Sequence, residues 1–284
     1  MLLIDFSWVL HRSYHVFKNL SFKRVDGVEV RTGTIFGLFN SYRQLRQVYP
    51  LDRFVFCLEG VSNFRRKNPQ YKATREYKPE IYLVKKDILS MLALFQKVEF
   101  YTCGDGEADD VIYTHVLNNR VGEGVNIFTR DSDLLGLLEF DGVKIFNSIK
   151  NGVPKYVSKE EVKKKFGVNT VIGMRIVKTL KGDSTDNVPR IVNRFPAKLL
   201  SSLACSCATL EEVLSYPMPK EKLDVIQSQL ENLRSNWELV GLREVVLKEV
   251  KPEIKPVSYF ATQYGLNSLY RYLEMKPVFL GGKV

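Results

Sequence analysis

The chain is poor in the residues that make disulfides, thiolate metal sites and membrane spans. Only four cysteines and three histidines serve 284 residues. Cys57 and Cys103 fall in apolar, strand-like runs, while Cys205 and Cys207 form a lone Cys-Ser-Cys with no second pair to complete a zinc site. Reduced, structural thiols are the expectation. No stretch approaches the roughly 20 apolar residues of a membrane span, and the opening Met-Leu-Leu-Ile-Asp carries no basic leader. These features point to an intracellular, membrane-free globular protein. Its 45% hydrophobic content can supply one large core, or a catalytic domain with a smaller appendage. Internal repeats and low-complexity tracts are also missing.

Charge, in contrast, is plentiful and unevenly spread. The formal net charge is +10 and the isoelectric point about 9.3. Residues 61–86 hold eight basic side chains (Arg65, Arg66, Lys67, Lys72, Arg75, Lys78, Lys85 and Lys86) against Glu76 and Glu80, a net +6 in one short segment. Phe64, Tyr71, Tyr77 and Tyr82 are threaded through it. A solvated charge run is the ordinary fate of such a stretch. Interleaved aromatics favour nucleic-acid contact instead, because rings stack on unpaired bases while cations meet phosphates.

Periodicity gives the architecture. Apolar runs at Leu2 to Phe6, Arg53 to Leu58, Val98 to Cys103 and Val125 to Thr129 read as strands. Helical spacing over Thr34 to Gln47 and Ile81 to Phe95, and a helix opening at Glu107, supply crossovers between parallel strands. Val143 to Ile149 and Lys155 to Val157, joined through Asn151-Gly152, read as a terminal hairpin. The expected class is α/β: a mostly parallel sheet with helices on both faces over residues 1–157. From 158 to 284 the pattern turns helical. Ser158 with Glu161 and Thr209 with Glu212 form capping boxes, and Gly167 is a stop. Helices are expected over Val171 to Lys181, Glu221 to Leu239 and Tyr259 to Met275, with an irregular connection from Leu247 to Pro256.

Nine carboxylates complete the pattern: Asp5, Glu59, Glu107, Asp109, Asp110, Asp131, Asp133, Asp183 and Asp186. Nearly all sit where a strand-like run stops, and ligands of open α/β sheets gather at the carboxyl ends of strands. Asp5 alone could be a helix cap, and Asp131-Ser-Asp133 puts both carboxylates on one side only if the chain is extended there. Glu107, Asp109 and Asp110 exceed what capping one helix requires. Gathered together, such hard oxygen ligands suit Mg²⁺ or Mn²⁺.

The set Leu-Leu-Ile-Asp5, Phe64-Arg-x-x-x-x-Pro-x-Tyr71-Lys72-x-x-Arg75, Gly106-Glu-Ala-Asp-Asp110, Thr129-x-Asp-x-Asp133 and Lys181-Gly-Asp183-x-x-Asp186-Asn-Val-Pro189 resembles the 5′-nuclease superfamily of flap endonucleases and 5′-3′ exonucleases, phage RNase H-type members among them. The match runs through about the first 200 residues. It implies a PIN-like fold, an arch around residues 61–86, and a helix-three-turn-helix-like element in a DNA-binding region over 158–284. It further implies two divalent ions, a main cluster of Asp5, Glu59, Glu107, Asp109, Asp131 and Asp133, and Asp110, Asp183 and Asp186 around it. By the same resemblance Lys72 and Arg75 reach the scissile phosphate, Tyr71 stacks on the terminal base, and Phe64, Arg65, Arg66 and Lys67 contact nucleic acid. The substrate would be DNA with 5′ ends, flaps or nicks, or an RNA:DNA hybrid, handled by a monomer in the cytoplasm of a bacterial or phage-infected cell. A PIN-type ribonuclease and a non-catalytic DNA-structure-binding protein are the alternatives.

Two departures stand out. Glu59 occupies a position where the family has Asp. After Asp186-Asn-Val-Pro a Gly-x-x-Gly-x-Gly turn is replaced by Arg190-Ile-Val-Asn-Arg-Phe-Pro-Ala-Lys198. Glycines there admit a phosphate, and can hold a monovalent cation, through backbone groups. Arg190, Arg194 and Lys198 would substitute side-chain charge, and no specific K⁺ effect is expected.

Overall fold

The computed structural model describes residues 1–61, 68–74, 76, 78–119, 124–193 and 195–275. Its frame is a seven-stranded sheet built from β1 (Leu2–Asp5), β4 (Phe54–Cys57), β5 (Val98–Cys103), β6 (Val125–Phe128), β7 (Val143–Lys150), β8 (Val153–Tyr156) and β9 (Leu247–Glu249), in the order β8-β7-β6-β1-β4-β5-β9. The five inner strands are parallel; β8 and β9 pair antiparallel at the two edges. Strand β1 lies between β4 and β6, so the chain winds outward through β4 and β5 and then returns to the other side. Such a reversal opens a crevice at the strands' carboxyl ends.

Alternation sorts the strand side chains between two cores. Leu2, Ile4, Phe54, Phe56, Phe100, Phe128 and Phe146 face one layer. It is filled by α1 (Phe6–Val16), α2 (Gly33–Val48), α3 (Pro79–Leu83) and α4 (Lys85–Leu92). Leu3, Val55, Cys57, Ile127 and Ile145 face the other. There they meet α5 (Ala108–Asn118) and a 3-10 helix at Asp133–Glu139. The β1 run is buried on both faces, which is why it reads as continuous rather than alternating. Asn151 and Gly152 take left-handed angles, φ 51° and 77°, in the β7–β8 turn, as that dipeptide predicts.

A third core belongs to the helical part: α6 (Lys159–Phe166), α7 (Val171–Lys181), α8 (Ala197–Ser206), α9 (Leu210–Ser215), α10 (Lys220–Ser228) and α11 (Leu230–Val240). Ile176, Leu180, Leu200, Leu203 and Leu233 pack together at its centre. Both expected capping boxes form, and Gly167 closes α6 with φ 84°.

Several elements differ from the sequence reading. Helix α1 has no counterpart among the helices expected from periodicity; Asp5 ends β1 and, as a lone acid after a strand can, caps the helix by accepting from the Trp8 N–H at 3.0 Å. A small hairpin, β2 (Ser21–Lys23) with β3 (Glu29–Arg31), was not anticipated either. The helix expected over 81–95 breaks at Val84, and the one over 221–239 breaks at Gln229, whose φ −121° and ψ 29° are not helical. Residues 158–275 are not helical throughout. The connection expected to be irregular contains β9, which pairs with β5, and α12 (Val257–Tyr264) and α13 (Asn267–Met275) lay Phe260 and Leu269, with Leu266 between the two helices, into the sheet's first core. Gly265, at φ 66°, separates those two helices. Among the described residues no helix is long and apolar enough to cross a membrane.

Candidate metal and nucleic-acid site

Each acid owes its position to the end of an element. Asp5 closes β1, Glu59 follows β4, Glu107 and Asp109 open α5 after β5, and Asp131 and Asp133 follow β6. All therefore lie at the carboxyl edge of the sheet. Asp5 is buried; besides the Trp8 N–H, it accepts from the Thr129 hydroxyl at 2.8 Å. Burial pushes its carboxyl up to about 7, aided by the charges of Asp131 and Glu59 and opposed by the Trp8 and Thr129 donors. Asp109 is pushed well above the carboxylate range by burial and by Asp131, Asp5 and Glu59, with Lys72 opposing.

Glu59 uses its extra methylene to span two helices. Its Oε1 accepts from Ser7 in α1 at 2.9 Å and its Oε2 from the Ala108 N–H, at the positive end of α5, at 3.1 Å. Asp131 and Asp133 do not lie along an extended strand. The Asp133 N–H donates to Asp131 Oδ1 at 2.9 Å, so the chain turns between them and enters the 3-10 helix. Asp183 and Asp186 sit in a tight loop after α7, in which Asp183 and Val188 bond each other's backbones at 3.0 and 2.8 Å. Gly182 enters this loop with φ 71°, and a Cβ there would meet the Val188 carbonyl oxygen at 2.6 Å. Oxygens of Asp133, Asp183 and Asp186 lie within 4.8 Å of one another.

Asp110 is set apart from the other acids. It is fully buried, its Oδ2 accepts from the Glu107 N–H at 2.9 Å and its Oδ1 from the Arg243 N–H at 2.9 Å, with the Arg243 guanidinium 3.8 Å away. Both oxygens are thus committed to protein donors. They close the capping box of α5 and tie the segment before β9 to it.

The segment at 68–74 lies against these carboxylates. Tyr71 donates its hydroxyl to Glu107 at 3.2 Å and to Asp186 at 3.4 Å, and Lys72 Nζ donates to Glu107 Oε2 at 2.7 Å. The Lys72 N–H bonds the Asp186 carbonyl at 3.0 Å, Thr74 bonds Asn187 at 2.7 Å, and Asn68 bonds Ser235 in α11 at 3.2 Å. A cleft follows, lined by Tyr71, Glu107, Asp109, Asp133, Asp183 and Asp186 and backed by the apolar Leu239, Val240 and Leu242. Its donor set is all oxygen, and burial, joined by the charges of Asp131, Asp5 and Glu59, holds Asp109 toward protonation. A hard divalent cation would relieve that repulsion, so these residues fit one.

Residues 1–167 match the family described as "5′-3′ exonuclease, N-terminal resolvase-like domain". The chain belongs to this family. It is 28% identical over 247 residues to DNA polymerase I of Borreliella burgdorferi, covering 85% of this chain and 26% of that protein. It is 29% identical over 181 residues to DNA polymerase I of Chloroflexus aurantiacus, covering 61% and 19%. The chain thus spans about a quarter or less of the length of these curated relatives. Among solved structures it resembles the 5′-exonuclease of T5 with bound zinc (TM-score 0.63, 17% identity, 84% and 88% of the two chains). A bacteriophage T5 flap endonuclease in a pseudo-enzyme–product complex with DNA and metal ions gives 0.62 at 16% identity, covering 96% of each chain. The catalytic core of Rad2 with a DNA substrate gives 0.53 at 15% identity, over 97% and 91%. These likenesses establish the PIN-like α/β fold of the 5′-nucleases.

Among the remaining expected site residues of this exonuclease-family chain, Phe64, Arg65, Arg66, Lys67, Arg75 and Arg194 lie outside the described residues. Lys198 is exposed in the first turn of α8. Arg190 is exposed, and its Nε donates back to the Lys181 carbonyl at 3.3 Å. Among the partners of the acids, Ser7, Lys178 and Arg243 escaped the sequence reading, and Thr129 entered it only as a motif position. Lys178 donates to Asp133 Oδ1 and, at 2.6 Å, to Asp183 Oδ2. Burial acts against charge on Asp183, yet Lys178 and the Thr185 N–H hold its carboxyl below the usual range. A lysine on the apolar face of α7, beside Met174 and Val177, was the available signal.

Proposed function

We propose that this chain is a divalent-metal-dependent 5′-nuclease that hydrolyses DNA at 5′ ends, flaps or nicks, by exonucleolytic or flap-endonucleolytic cleavage, and also accepts RNA:DNA hybrids. The reading rests above all on the convergence at one sheet edge of carboxylates from four strand ends with the Asp183–Asp186 loop, under the Tyr71-Lys72 segment. In this reading Asp5, Glu59, Glu107, Asp109 and Asp131 hold one Mg²⁺ or Mn²⁺, and Asp133, Asp183 and Asp186 a second. When bound, such ions acidify water and offset charge on the attacking and leaving oxygens of a phosphodiester.

The protein's own groups do the rest. Lys72, joined by Arg75, exchanges its carboxylate partner for the scissile phosphate and neutralises the charge that grows there. Tyr71 offers a ring to the terminal base. Phe64, Arg65, Arg66 and Lys67 contact the unpaired strand. The helical region, with α7, α8 and the 182–196 connection as its helix-three-turn-helix-like element, grips duplex through Arg190, Arg194 and Lys198 without a specific K⁺ site. Asp110 serves as a strut rather than a ligand.

A PIN-type ribonuclease would need the acids alone, whereas here the Lys72 backbone is bonded to Asp186. The protein acts as a monomer in the cytoplasm of a bacterial or phage-infected cell. Incubation of labelled 5′-flap, nicked, blunt and RNA-primed duplexes, with and without Mg²⁺, tests the reading. Release of 5′ products only with the ion is expected; equal cleavage in EDTA, or none on any substrate, would sink it.

A further inference from the structure

Lys178 is the only lysine among the described residues whose side chain bonds two of the candidate ligand carboxylates. It projects from the buried face of α7, is 9% exposed, and its ammonium lies on Asp133 Oδ1 and Asp183 Oδ2. Those two residues supply oxygens to the group that closes with Asp186 to within 4.8 Å. The ammonium therefore already draws on two of the three carboxylates that a divalent ion at this group would need. Its burial leaves little solvent to screen it, and like charges a few ångströms apart in such surroundings repel strongly.

We propose that Lys178 is a built-in counter-ion of the outer carboxylate group, so that Asp133, Asp183 and Asp186 take up a divalent ion only when the ammonium is displaced. The proposal rests on the metal-dependent reading above and adds a term that the acids themselves do not contain. In the ion-free protein, Lys178 holds Asp133 and Asp183 together beside Asp186 by supplying positive charge between them. On loading, the side chain gives up both acceptors. Affinity at the outer group is then the difference between two cations competing for the same oxygens, and it is lower than three carboxylates would otherwise give. A lysine on a helix interior can make that exchange by rotating its flexible stem, which a fixed backbone donor could not do.

The test uses the whole DNA-free protein and Mn²⁺ alone, followed by isothermal titration calorimetry and by the Mn²⁺-induced rise in melting temperature. Lys178→Met removes the charge and keeps an unbranched stem. It is expected to bind Mn²⁺ at the outer group at least about 10-fold more tightly than wild type. Its ion-free form should melt lower and gain more from Mn²⁺ than wild type does. Lys178→Arg, which keeps the charge, should stay as weak as wild type. Adding Asp186→Asn to Lys178→Met should abolish the gained affinity, which assigns it to this group. Lys178→Gln provides a second neutral variant if the methionine form fails to fold. Unchanged or weaker Mn²⁺ affinity in the folded neutral variants would overturn the counter-ion role. Failure of the nuclease reading would show separately, as absence of Mg²⁺-dependent cleavage by the wild-type protein.

Discussion

Lys72 reaches Glu107 through its side chain, with Nζ 2.7 Å from Oε2, while its backbone N–H bonds the Asp186 carbonyl at 3.0 Å. One residue thereby links the acid that opens α5 to the loop after α7. Lys72 also takes a left-handed backbone, φ 57°, unusual for a residue with a side chain. Strained conformations of this kind persist where surrounding bonds fix them. Here those bonds run to the helical part through Thr74–Asn187 and Asn68–Ser235.

A cation that trades a carboxylate for a reacting phosphate shows itself in rate more than in binding. Lys72→Ala should therefore lower single-turnover cleavage of a 5′-flap substrate by about 100-fold or more, with little change in DNA affinity. Truncation of Arg65, Arg66 or Lys67 should do the reverse, weakening binding and flattening its salt dependence. A Lys72→Ala protein that cleaves bound substrate at the wild-type rate would make the residue an ordinary phosphate anchor.

The contrast between neighbouring acids gives a second expectation. Asp109 is crowded by Asp131, Asp5 and Glu59, whereas both oxygens of Asp110 accept backbone N–H groups. Asp109→Asn and Asp131→Ala should abolish Mg²⁺-dependent cleavage while leaving DNA binding in place. Asp110→Ala should chiefly cost stability, about 1–3 kcal/mol, because it strands the Glu107 and Arg243 N–H groups. Urea unfolding and calorimetric titration of Mn²⁺ separate the two. Loss of metal binding in a fully stable Asp110 variant would return that residue to the ligands.

The same crowding sets a pH dependence. The Asp5 carboxyl, raised to about 7 by burial and then by Asp131 and Glu59, binds protons more tightly in the folded chain than in the unfolded one. Its contribution favours the folded state at low pH and is lost as pH rises through 7, and Asp109 is shifted in the same direction. A divalent ion needs these groups ionised. The rise in melting temperature produced by Mg²⁺ over EDTA should therefore be small near pH 5.5 and larger near pH 8. An ion effect that is the same at both would argue against Asp5 and Asp109 as ligands.

Much of this was legible in the sequence because it depends on local pattern. Continuous apolar runs ending in acids gave β1, β4, β5 and β6 and the edge on which the site lies. What escaped depends on tertiary pairing. Three residues, Leu247–Glu249, carry no strand signature of their own and become β9 only because the edge of β5 accepts them. Asp110 reads like its neighbours until Arg243, 133 positions later, supplies its N–H. Lys178 reads as a polar interruption of an apolar face until Asp133 and Asp183 close on it. Helix breaks at Val84 and Gln229 involve neither Gly nor Pro, so propensity alone does not mark them.

The C-terminal return is held to the sheet layer by one buried carboxylate. Asp87 in α4 accepts from Lys255 Nζ at 2.5 Å, Tyr259 at 2.8 Å and Tyr264 at 2.5 Å, and the nearby Ser90 hydroxyl accepts from the Lys255 N–H at 2.8 Å. Burial alone would raise the Asp87 carboxyl, but the ammonium and two hydroxyls outweigh it and hold it below the ordinary range. A depressed carboxylate stabilises the fold at and above the pH where it ionises in the unfolded chain, and that contribution disappears as pH falls through the folded value. Asp87→Asn keeps the shape and removes the charge. It should cost about 2–3 kcal/mol in urea unfolding at neutral pH, the usual scale for charge-assisted bonds left without their anion. As pH falls through the folded value of Asp87, wild type and variant should converge, since both become uncharged at this position. Equal stability of the two at neutral pH would mean that the packing of Phe260 and Leu269, and not this clasp, holds the return in place.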